Sequence, residues 1–272
     1  MTNVIEKGKR IFQYIFLTVV SIISVFPLYW MFCAATNKSV DVIRGKLIPG
    51  TALLDNLKNL LASQDVAGAM TNSFKYSITL TLISLCICSL AGYGFEIFHD
   101  KAKDTVMSIL LLAMMVPFAA TMIPLFQMFS KAGLLNSTIG FILPTISTPF
   151  LIMLFRQSAR SFPHDIIEAA RIDGLNEFQI FYRMFIPTMR STYAAAMTIT
   201  FMNAWNNYLW PKVIMTDDKS ITMPMLVANL TEGYVTDYGM LMLGVLLCTI
   251  PTIIIFFVLQ RSFAEGITGA VK

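Results

Sequence analysis

Apolar residues gather in six runs that contain no Asp, Glu, Lys, Arg or His: residues 11–35, 76–95, 105–130, 132–155, 191–211 and 240–260. A hydrocarbon core about 30 Å thick needs about 20 helical residues. Each run reaches that length, so the pattern predicts six membrane-spanning helices in one domain, 1–272, of an all-α membrane protein. Spans three and four are separated by little more than Lys131, which predicts a helical hairpin with "KAGLLNST" as its turn. Pro27, Pro117, Pro124, Pro144, Pro149 and Pro251 all fall inside the runs. Each removes a backbone donor and favours a kink. Freed carbonyls in a bilayer must meet neighbouring helices or a water-lined cavity, so these prolines serve either packing or a transport pathway.

Between spans four and five lies a different pattern, residues 160–190, with charges of both signs and a central glycine. Ser161 and Pro163 predict a helix start, and the helix runs to about Asp173. Gly174 is the expected left-handed stop. Asn176 with Gln179 three residues on forms a capping-box pattern for a second helix. That helix carries Phe178, Phe181, Tyr182 and Phe185 at i, i+3, i+4 and i+7, one continuous aromatic face, and Pro187 ends it. Such a face either rests on lipid, aided by Arg171, Arg183 and Arg190, or docks into a groove of a partner protein.

Composition agrees with the spans: the 272 residues are 56% hydrophobic and only 13% charged. The first run is too long for a signal-peptide core of roughly 7–15 residues, so it reads as an uncleaved span. With the N-terminus inside, the inner segments hold 12 Lys and Arg in 66 positions against 8 in 69 outside. That bias, with "KGKR" before the first span, places both termini and the 160–190 loop in the cytoplasm. The outer segments are 36–75, with an amphipathic "LLDNLKNLLA" suited to the outer surface, and 212–239, with Asp217, Asp218, Glu232 and Asp237.

Candidate chemistry is sparse. Cys33, Cys86, Cys88 and Cys248 all lie in apolar runs and read as buried free thiols. His99 and His164 are far apart, so no metal site is legible. No phosphate-binding glycine loop is present, so the chain is not expected to bind ATP itself. In span five, Asn203, Asn206, Asn207 and Trp210 fall on one face of a continuous helix. They serve either as interhelical hydrogen-bond glue or as the wall of a pathway for an uncharged polar solute, with amides for hydroxyls and an indole for an apolar face. An ion-coupled secondary transporter would need charged groups in the spans, and they have none. A membrane enzyme would need a nucleophile–base pair, and none is visible.

"EAARIDG…IP" resembles the EAA loop of ABC-importer permeases, with Glu168, Ala169, Ala170, Gly174, Ile186 and Pro187 in the pattern. "MVPFAATMIPLFQMFSKAGLLNSTIGFILP", "FMNAWNNYLWP" and the tail "QRSFAEGITGAVK" resemble the carbohydrate, maltose-type importers, in the shorter six-span subunit. The likeness runs from about Asn72 to Lys272 and is looser before that. It implies a subunit of an importer in a bacterial or archaeal cytoplasmic membrane. Its partners would be a second, different permease, a cytoplasmic ATPase homodimer carrying ATP and Mg, an extracytoplasmic solute-binding protein and the lipid bilayer, with no nucleic acid. The permease itself would be no enzyme.

The resemblance makes 160–190 the coupling loop, with Glu168, Ala169, Ala170, Asp173, Gly174, Phe178 and Phe181 meeting the ATPase. It makes 212–239 a loop reaching the binding protein through Glu232, Gly233 and Tyr234. The tail around Gly266 and Gly269 could extend towards the ATPase. A glycerol-phosphate-type solute is the nearest rival cargo, but spans without basic residues suit a neutral sugar.

Overall fold

The computed structural model describes the backbone of residues 2–269 and side chains at Glu6 and from Lys9 to Gln260. No strand occurs among the described residues. The chain opens with α1 (Thr2–Ala35), α2 (Ser39–Ile43) and α3 (Leu53–Ser63), then the long α4 (Val66–Ile97). Next come α5 (Lys101–Ala113), α6 (Phe118–Lys131), α7 (Thr138–Ile142) and α8 (Pro149–Arg160). The elbow is α9 (His164–Ile172), α10 (Glu177–Ile180), a π-helical turn at Phe181–Phe185 and α11 (Ile186–Thr188). The chain closes with α12 (Arg190–Trp205), α13 (Leu209–Ile214), α14 (Met223–Asn229) and α15 (Tyr238–Gly269). Contacts of the tail side chains beyond Gln260, including those expected around Gly266, lie outside the described residues.

Three helices are long and apolar enough to cross a bilayer unbroken: Lys9–Ala35 of α1, α4, and Tyr238–Gln260 of α15. The third and fourth runs are bent instead, α5 to α6 by 96° and α7–Thr145 to α8 by 57°. Pro117 precedes α6 in extended conformation, where the residue before a proline also leaves the helical region. Pro149 starts α8, behind a Thr148 side chain that accepts from the Leu151 N–H at 3.4 Å. Thus Pro117, Pro144 and Pro149 stand at helix starts, Pro144 in the 3-10 turn Leu143–Thr145, while Pro27, Pro124 and Pro251 lie within helices. The fifth run is not one helix either: α12 stops at Trp205 and α13 begins at Leu209. The "KAGLLNST" turn forms where expected, with Asn136 at φ 54° and Ser137 capping α7.

The chain forms two compact units. The first comprises residues 1–66 and 226–249. Here α3 turns Asn56 and Leu60 inward. Asn56 Nδ2 donates to Ala35 O (2.8 Å) and Asn37 O (3.0 Å), while Leu54 and Leu61 stay exposed.

The second unit holds residues 67–225 and 250–272, and α4 is its spine. Tyr76 and Leu80 of α4 join Phe129, Phe141, Trp210 and Ile214. Two to three turns on, Leu85 and Cys88 join Met107, Ile152 and Phe155. Tyr93 then joins Ala159, Ile167, Ile180 and Phe185 of the elbow region. Cys33 and Cys88 are buried as expected, but Cys86 is exposed and Cys248 only partly buried. Residues two apart on a helix point about 200° apart, so Cys86 and Cys88 cannot share a face.

Candidate functional site

The elbow forms as its local sequence dictates. Pro163, not Ser161, occupies the start of α9; the Ser161 hydroxyl donates to Ser158 O at 2.7 Å instead. At the other end Gly174 has φ +81°. Its N–H donates to Arg171 O (3.1 Å) and the Leu175 N–H donates to Ala170 O (3.0 Å), the paired bonds of a Schellman stop. The capping box is complete: Asn176 Oδ1 accepts from Gln179 N, and Asn176 N donates to Gln179 Oε1, both at 2.9 Å. Arg171 Nε donates to Glu177 Oε1 at 2.7 Å across the bend, and that carboxylate holds the guanidinium above its ordinary pKa.

The aromatic face is split, contrary to expectation. Phe181 and Phe185 are buried against Tyr93, with ring centroids 5.3 and 5.0 Å away. Phe178 (69% exposed) and Tyr182 stand outside. The two pairs are separate i, i+4 stripes, and an i→i+5 bond from Ile186 N to Phe181 O closes the π-helical turn after them. Ala170 is likewise buried in the chain's own core, whereas Glu168, Ala169 and Asp173 face outward with Ile172. Of the residues expected to meet a partner, Ala170 and Phe181 are therefore corrected: both are already covered, and they hold the elbow to α4.

A second site lies where runs three, four and five are interrupted. A cavity of about 470 Å³ is lined by Asn203, Asn206 and Asn207, by Thr145, Thr148 and Thr200, and by the rings of Phe118, Phe150 and Tyr208. No side chain of its lining is charged. The hydroxyls of Thr145 and Thr200 are buried without a hydrogen-bond partner.

Trp210 is not part of this lining. It is fully buried between Phe118 and Phe129, and its Nε1–H donates to Gly140 O at 3.0 Å. The expected face assumed a helix running through 203–210. The break after Trp205 turns Trp210 into the core formed by α6, α7 and α13. The threonines were missed; their signal is the hydroxyls flanking Pro144 and Pro149, where a helix in a bilayer opens onto a cavity.

In the first unit, Glu232, Gly233 and Tyr234 sit together in the turn between α14 and α15. Tyr234 is completely exposed at the tip and Val235 nearly so.

Long apolar helices, with broken runs around an uncharged cavity whose wall carries three amides, are the architecture of a multi-pass membrane permease. Residues 90–269 match the family described as "Binding-protein-dependent transport system inner membrane component", and the chain belongs to that family. It is 44% identical over 272 residues to the lactose transport system permease protein LacG of Rhizobium radiobacter, covering both chains in full. To the arabinooligosaccharides transport system permease protein AraQ of Halalkalibacterium halodurans it is 33% identical, covering 93% of each. To the sn-glycerol-3-phosphate transport system permease protein UgpE of Escherichia coli K12 it is 30% identical, covering 96% of this chain and 97% of that one. A bacterial ABC transporter involved in import of the acidic polysaccharide alginate shares the fold, with TM-score 0.83 over 95% of this chain and 97% of that one, at 21% identity. The family is one of transport subunits, not enzymes.

Proposed function

We propose that this chain is the permease subunit of an ATP-driven importer of a neutral sugar or oligosaccharide. It works beside a second, different permease, a cytoplasmic ATPase homodimer that carries ATP and Mg, and an extracytoplasmic binding protein. In this reading six spans cross the membrane and both termini are cytoplasmic. The observation that carries the sugar reading is the cavity: amides, hydroxyls and rings, without a charge, in about 470 Å³. Amides and hydroxyls match sugar hydroxyls, and rings match a sugar's apolar face. The likeness to LacG and AraQ supports the same cargo class, whereas the UgpE likeness supports a phosphate ester. An anion would need a compensating donor or cation, and the uncharged lining favours the neutral solute.

The outward face of the elbow, with Glu168, Ala169, Ile172, Asp173, Phe178 and Tyr182, is the surface offered to the ATPase. Closure of the ATPase dimer would carry the docked elbow with it and tilt the helices around the cavity. Glu232, Gly233 and Tyr234 are the contact for the binding protein.

The test is uptake by the complete assembly in proteoliposomes, with lactose, an arabino-oligosaccharide and glycerol 3-phosphate compared. Saturable, ATP-dependent uptake of a neutral sugar is expected, and uptake of glycerol 3-phosphate alone would overturn the cargo. Asn206→Ala is expected to lower kcat/KM for the sugar about fivefold, the effect of about 1 kcal/mol for one neutral hydrogen bond. Unchanged kinetics would return Asn206 to the role of helix glue. Gly174→Pro forces φ to about −65° and deletes a donor, at a cost of about 3 kcal/mol to the elbow. The variant chain should assemble yet hydrolyse ATP without uptake; normal uptake would remove the bend from the mechanism.

A further inference from the structure

The C-terminal half of α8 carries a buried cation that the transport site does not use. Arg156 is 4% exposed and forks between two carboxylates from two other helices. Its Nε donates to Glu96 Oε2 at 3.0 Å and its Nη2 to Asp104 Oδ1 at 2.5 Å. Glu96 lies in the last turn of α4 and Asp104 in the first turn of α5. Arg160 adds its Nε to both Glu96 oxygens at 3.3 and 3.2 Å, and His99 Nε2 lies 2.9 Å from Asp104 Oδ2. Charge-assisted bonds of this kind are roughly twice as strong as neutral ones. A planar guanidinium can serve two carboxylates at once, which a lysine ammonium does less well.

The clasp stands at one end of a rod. The other end of α8 reaches the cavity, where Phe150 and Leu151 line the wall just after Thr148. Twelve residues at 1.5 Å each span about 18 Å. Beyond Arg160, three residues lead into the elbow. From the same clasp, α5 runs to the 96° bend, and on its far side Phe118 also lines the cavity. Two walls of the cavity therefore trace back to one ion-paired joint beside the elbow. Packed interiors transmit displacement rather than absorb it.

We infer that Arg156 is a positioning residue for transport: it locks the first turn of α5 to the C-terminal half of α8, so that a displacement of the elbow moves both cavity walls together. The inference rests on the importer function proposed above.

The test uses the complete importer in proteoliposomes and reads solute imported per ATP hydrolysed, beside the thermal midpoint of the assembly. Asp104→Asn removes the α5 arm of the clasp from a half-exposed position, and Arg156→Lys keeps the charge but loses the fork. In both variants hydrolysis should stay within about twofold while solute per ATP falls about fivefold, with the midpoint little changed. Asp104→Glu should restore most of the ratio. An unchanged ratio in Asp104→Asn and Arg156→Lys, or a loss of uptake that only follows loss of assembled complex, would overturn the role of Arg156. A wild-type assembly that imports no solute would refute the importer function itself, a result separate from normal coupling in the variants.

Discussion

Replacing Gly92 by valine should leave little folded chain to recover from membranes. A Cβ at position 92 would stand 2.6 Å from Phe155 Cβ, 2.7 Å from Arg156 N and 2.9 Å from Ile152 O. Two of these are backbone atoms of α8 and the third is a Cβ, so none can swing aside. Relief requires α4 and α8 to separate along the stretch where Cys88, Phe155 and Ala159 are fully buried. Overpacking of this kind costs typically 1–3 kcal/mol. Here it also stretches the Glu96–Arg156 pair one turn away, and breaking a buried pair costs about 3–5 kcal/mol. Gly94 supplies the control, because a Cβ there meets nothing within 4 Å. Recovery and thermal midpoint in detergent should collapse for Gly92→Val and hold for Gly94→Val. Equal behaviour of the two variants would mean that α4 and α8 do not touch as described.

Trp210→Ala should cost about 3–5 kcal/mol of stability and leave the KM of the surviving importer unchanged. The indole has no exposed surface, packs edge-on to Phe129 at 5.4 Å and Phe118 at 6.0 Å, and donates to Gly140 O. Alanine there leaves a void and an orphaned carbonyl in the core that joins α6, α7 and α13. Trp210→Phe keeps the ring and loses only the donor, so its cost should be nearer the 1–3 kcal/mol of an unsatisfied buried group. Had Trp210 stacked on a passing sugar, the pattern would invert, with KM rising and the midpoint holding. Thermal unfolding in detergent beside uptake kinetics distinguishes the two outcomes.

Features carried by neighbours in the chain were legible at once. The stop at Gly174 and the capping box of Asn176 and Gln179 are encoded within four residues, and both form as expected. The amides of span five were found because polar side chains in an uncharged run stand out, and all three line one cavity. Trp210 was misplaced because its position depended on a helix continuing through Asn206 to Tyr208, which it does not. Phe181 was misplaced for a different reason. Periodicity puts it beside Phe178, but the choice of which stripe is covered belongs to Tyr93, 88 positions earlier.

Hydropathy and charge along the chain thus determined that this is a helical membrane protein with a bent polar elbow between two apolar runs, since bilayer thickness and backbone capping act on short consecutive stretches. Only the tertiary structure decided which elbow residues stay outside, where the runs break around the cavity, and that Arg156 joins Glu96 and Asp104. Those outcomes depend on pairs of residues 50 or more positions apart brought within a few ångströms, and no local pattern specifies which distant partner a side chain will meet.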